Sequence, residues 1–149
     1  MIKITKKWLT HHEACCSESD KERAEKEFKG DINLICKALI KENRLEDANW
    51  LLIRIMNKKQ KIQYAIFVAE KVLHAYEDHY PNDNGLRLVI KAAKASLESP
   101  CEEVKEDAAS RTALAALVID TAYFVARDAY VFQKAIIEKG LKILKGVNN

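Results

Sequence analysis

Two adjacent histidines and two adjacent cysteines, His11, His12, Cys15 and Cys16 in the run HHEACC, are the side chains of this chain best suited to chemistry. Imidazole and thiolate both bind zinc. On one continuous helix His11 with Cys15, and His12 with Cys16, stand a turn apart. Adjacent pairs nevertheless point in divergent directions, and a structural zinc needs four converging ligands. No second CxxC or HxxxH pair supplies the remainder. The expectation is ordinary thiols and surface histidines, with no metal and no cofactor. A cysteine nucleophile needs a base and an orienting group brought to it by the fold. No spacing in the chain identifies such a set, so no catalytic residue is assigned and the chain is read as no enzyme.

Three charged features remain. Glu70 lies in YAIFVAEKVL, a helix apolar almost all round, where a carboxylate must reach solvent or find a cation. The expected structural ion pair is Glu70 with Arg87, anchoring the following helix; from its place one turn into that helix Arg87 can also reach back to Glu77. Arg54, Lys58, Lys59 and Lys61 in RIMNKKQK could touch phosphate, yet no aromatic interleaves with them as in single-strand binders. They read as a solvated helix junction. Glu102, Glu103, Glu106 and Asp107 in CEEVKED fall in the first turns of a helix, where negative charge suits the dipole.

These residues must be positioned by helices. The chain has 149 residues, only four glycines and two prolines, and is 48% hydrophobic and 32% charged. Scarce breakers with plentiful Ala, Leu, Lys and Glu favour helix. Residues 5–16 read as a first helix capped by Thr5, and 17–28 as a charged helix with few apolar anchors. Gly30 breaks the chain, and Asp31 caps INLICKALIKEN. Leu45 to Met56 repeats the apolar stripe through Leu45, Ala48, Leu52 and Ile55. NKKQK separates it from IQYAIFVAEKVLHAYEDHY, whose seam is Ile62, Ile66, Ala69, Leu73, Tyr76 and Tyr80. Pro81 ends that helix, because proline cannot continue the ladder. Asn82, Asp83, Asn84 and Gly85 form a turn. Leu86 to Glu98 follows, with Leu86, Val89, Ile90, Ala93 and Leu97 inward. From about Glu102 an Ala-rich helix, or a pair joined near Arg127, runs almost to the end. The fold class is therefore all-α: a single-domain multi-helix bundle over 1–149 with about six to eight helices.

Composition and patterning speak against several classes. No apolar run approaches the roughly 18 residues of a membrane span. MIKITKKWLTHHEA lacks the apolar core of a signal peptide, which points to a cytoplasmic protein with reduced thiols. The net charge is +3, without the concentrated excess of a nucleic-acid binder.

The stretch from Ala48 to Glu98 resembles the helical immunity-protein family of bacterial polymorphic-toxin and conflict systems, also met on phage and mobile elements. Trp50, Leu51, Ala69, Glu70, Val72, Leu73, Tyr80, Pro81, Asp83, Arg87, Ile90, Ala92 and Ala93 carry the likeness, and Trp8, Leu9, Ala14 and Cys15 extend it towards the start. The family's arginine–proline pair is replaced here by Gly85 and Leu86. The resemblance implies a non-enzymatic binding protein that neutralises a protein toxin or effector enzyme by occluding it. Glu77, Asp78, Asp83 and Arg87, with Glu102, Glu103, Glu106 and Asp107, are the expected partner-binding residues. The alternative is a nucleic-acid-associated helical protein of a phage or mobile element. A homo-oligomer is left open.

Overall fold

The computed structural model describes residues 2–98 and 130–146. Among these the protein is all-helical, with seven helices and no strand. They fall into two compact units, Met1–Ile55 and Met56–Asn149. No helix among the described residues is long and apolar enough to cross a membrane.

The first unit holds α1 (Lys6–His11), α2 (Glu18–Lys26), α3 (Ile32–Lys41) and α4 (Leu45–Ile55). Each of the first three starts at a side-chain cap that satisfies amides left open at a helix start. Thr5 accepts from the Trp8 amide, Ser17 and Asp20 form a reciprocal capping box, and Asp31 accepts from the Asn33 and Leu34 amides. Apolar spacing then sets the buried faces: Ile32, Ile35, Cys36 and Ile40 on α3, and Leu45, Ala48, Leu51 and Leu52 on α4. The burial of Cys36 pushes its thiol up to about 12.

The first helix stops at His11, short of the expected residue 16. Glu13 takes a left-handed φ of 54°, and Ala14 and Glu13 donate back to the carbonyls of Leu9 and Thr10. That is a Schellman stop made without glycine. The end of α3 repeats it: Asn43 has a φ of 59°, and Arg44 and Asn43 donate to Leu39 and Ile40.

The second unit holds α5 (Lys58–His79), α6 (Gly85–Glu98) and α7 (Tyr130–Leu144). α5 begins four residues before Ile62, because Asn57 and Gln60 cap it reciprocally, each amide donating to the other's side chain at 3.0 and 2.9 Å. Lysines that read as a junction therefore form its first turn. α5 packs against both α6 and α7. Ile66, Ala69 and Ile90 are buried together, with Ile62, Leu73, Leu86, Ala93 and Leu97 packed around them. Ile136, Ile137, Leu141 and Ile143 form the buried face of α7. The expected seam runs true through Leu73, but Tyr80 lies outside the helix and is exposed. The segment from Glu102 to the proposed joint at Arg127 lies outside the described residues.

Candidate functional site

The corner that joins α5 to α6 is built from short-range hydrogen bonds. The Asp83 amide donates to the Tyr80 carbonyl, Leu88 donates to the Asn84 carbonyl, and the Asp83 carboxylate accepts from the Gly85 amide at 2.7 Å. Asp83 thus helps start α6. Beyond the turn the helices run antiparallel, and two ion pairs bridge them. Arg87 grips Glu77 in a fork, with Nε and Nη2 both at 2.8 Å. Seven residues further along each helix, Lys94 meets Glu70 at 2.6 Å.

The expected pairing of Glu70 with Arg87 is therefore corrected: of the two acids within its expected reach, Arg87 takes Glu77. Glu70 does tie α5 to the next helix, but through Lys94. In an antiparallel hairpin, a step back along α5 is matched by a step forward along α6. Joining Glu70 to Arg87 would require a slip of seven residues, about 10.5 Å along the axis. Of the other expected contacts, Asp78 is exposed and lies 3.2 Å from His74 Nδ1. Tyr80 and Leu88 are 57% and 63% exposed, two of the four large apolar side chains that stand out in solvent among the described residues. Glu102, Glu103, Glu106 and Asp107 lie outside the described residues.

The second feature was not legible beforehand. Within the first unit lies a cleft of about 320 Å³. Its walls include Leu9, Phe28, Ile35, Leu39, Trp50 and Leu51, and its rim carries charge. The two Schellman stops position its edges: one turns Cys15 and Cys16 onto the cleft, and the other presents Arg44. Arg44 reaches Asp20 at 3.0 Å and Asp47 at 2.7 Å. Arg23 reaches Glu42 at 2.6 Å and Glu27 at 3.1 Å, with its guanidinium 5.1 Å from the Phe28 ring. α2 buries only Ala24, packs against α1, and is linked by these partly exposed ion pairs to the end of α3 and to Arg44, which precedes α4.

The Arg44 guanidinium holds the Asp20 carboxyl below the usual range, and Asp20 in turn raises Arg44. Burial pushes the Cys16 thiol up, and the Asp20 charge adds to this. A depressed carboxylate contributes stability above its unfolded value, near pH 3.9, and loses it as pH falls through the lower folded value. Asp20→Asn should cost about 1 kcal/mol at neutral pH, the size of a partly exposed ion pair. Its urea midpoint should converge on the parent's as the pH falls to about 2–3. A gap that stays constant with pH would show that the charge is not the cause.

HHEACC does not have the geometry of one helix. His12 leaves α1 with its ring stacked on Trp8 at a centroid distance of 4.0 Å, and its Nδ1 lies 2.9 Å from the Trp8 carbonyl oxygen. Cys15 and Cys16 follow the left-handed Glu13, so the one-turn spacing to the histidines is broken. Among the described residues no group of three or more His, Cys, Asp or Glu side chains could hold a metal ion. Arg54 sits 5.3 Å from the Trp50 ring, while Lys58, Lys59 and Lys61 open α5.

Comparison with family models, with curated proteins and with solved structures finds no match to this chain.

Proposed function

We propose that this chain is a non-enzymatic binding protein that neutralises a toxin or effector enzyme by covering it with the α5–α6 corner. The observation that supports this reading most is the exposure of Tyr80 and Leu88 beside the charged Asp78 and Arg87. Aromatic side chains and arginines within a polar rim are typical of the centre of a protein interface, which suits Tyr80 and Arg87, and Leu88 adds exposed apolar area. The resemblance of the same stretch to helical immunity proteins agrees with it. A standard interface would bury about 1,200–2,000 Å². The two ion-pair bridges favour a preorganised surface, which spares the ordering cost on binding.

The partner is sought among proteins encoded beside this gene, by co-purification followed by calorimetry. Leu88→Asp is the decisive variant, because it changes an exposed side chain without touching the turn. It should weaken binding by about 30-fold or more, the effect of losing a central anchor. Reversing Asp83 is a poorer test, since that carboxylate accepts from the Gly85 amide. Capture of no neighbouring product, or unchanged affinity in both Leu88→Asp and Tyr80→Ala, would overturn the proposal.

A further inference from the structure

We propose that the cleft of the first unit binds a small amphiphilic amine, with its apolar tail against Leu9, Phe28, Ile35 and Trp50 and its ammonium group at the rim. The cleft is a partly open recess between four short helices, and its volume of about 320 Å³ lies at the lower end of the range for small-molecule sites. The walls are mostly apolar, so a ligand gains by burying hydrocarbon there.

Charge selects the head group. Asp20, Glu42, Glu46 and Asp47 line the cleft, against only Arg23 and Arg44. Both guanidiniums are already occupied: Arg44 holds Asp20 and Asp47, and Arg23 holds Glu42 together with Glu27 from outside the lining. Lys21, whose charge also reaches Cys16, is held by Glu18 at 2.7 Å. Glu46 is exposed and has no ion pair among the described residues. The unbalanced charge at the mouth is negative. A carboxylate ligand would meet repulsion there, whereas an ammonium group completes the set. Entry is easy to arrange, because α2 closes over this side through partly exposed ion pairs, which cost little to break.

The site lies wholly in the first unit, so it stands or falls apart from the α5–α6 corner. The test uses the full chain and three probes of one tail length, n-octylammonium, octanoate and octanol, the two ions below their micellar range and the alcohol below its solubility limit. Binding is read by calorimetry and by tryptophan emission, since Trp50 lines the cleft and Trp8 lies 6.5 Å from its ring. Octylammonium should bind saturably, and at least about fivefold more tightly than either control, the scale of one exposed charge contact. Glu46→Gln, at an exposed position, should narrow that preference. Ala38→Phe should fill the cleft and abolish binding of amine and alcohol alike. Octanoate or octanol binding as well as the amine would overturn the proposal. So would the absence of saturable binding, or an amine affinity unchanged in Glu46→Gln, which needs no refolding of the core.

Discussion

Gly30→Ala should destabilise the first unit by about 2–4 kcal/mol, well beyond an ordinary glycine substitution. Gly30 has a φ of +70°, a left-handed conformation that costs a residue with a Cβ roughly 1–2 kcal/mol. Space adds a second penalty. A Cβ there would lie 2.9 Å from the Ile4 nitrogen and 3.0 Å from the Ile4 oxygen, both backbone atoms. The Ile4 amide also donates to the Gly30 carbonyl at 3.0 Å, so the two segments cannot part without losing that bond. Ile4 is fully buried and lines the cleft, and displacing it forfeits part of the roughly 1.5–3 kcal/mol its burial supplies. Gly146→Ala is the control. Its φ is +73°, yet nothing lies within 4 Å of the added carbon, so only the same conformational cost of roughly 1–2 kcal/mol applies. Urea unfolding followed by circular dichroism compares the two. Equal losses would mean that the contact with Ile4 contributes nothing.

Tyr64→Ala should be costlier still, at about 3–5 kcal/mol, the range for truncating a buried aromatic. Tyr64 is fully buried on α5, the helix against which both α6 and α7 pack. Tyr64→Phe keeps the ring and removes only the hydroxyl, which should cost about 1 kcal/mol. Both tryptophans lie in the first unit and Tyr64 in the second. Tryptophan emission and circular dichroism followed together on Tyr64→Ala will therefore also report whether the two units unfold in one step. If the phenylalanine variant lost as much as the alanine variant, hydrogen bonding rather than ring volume would be the source of the stability.

The helices were legible because their signals are local. Thr5 and Asp31 cap where such residues should, Pro81 follows the end of α5, and the stripes on α3, α4 and α6 face inward as their spacing requires. The first helix was misjudged because its stop uses Glu13 in place of the expected glycine. That single left-handed residue undid the reading of HHEACC as one helical face. The start of α5 was missed for a similar reason: Asn57 and Gln60 form a cap around two lysines that look like linker. The Glu70 partner depended on helix register across a turn, which composition does not encode. The cleft was beyond reach, since it arises from how far four short helices leave their apolar faces unfilled. Its one visible trace was the charged run from Ser17 to Phe28, whose acids and bases prove to be shared with α1, with the end of α3 and with Arg44 before α4.

The rungs between α5 and α6 carry a consequence for the bend that precedes them. Because Glu77 with Arg87 and Glu70 with Lys94 set the phase of the hairpin from outside the turn, loop length and helix register are separately adjustable. Doubling a flexible connection adds only about 0.6 kcal/mol of closure entropy. A peptide spliced at the exposed bond between Pro81 and Asn82 would break the Asp83–Tyr80 hydrogen bond of the turn, yet the two ion pairs beneath would still hold the helices in register.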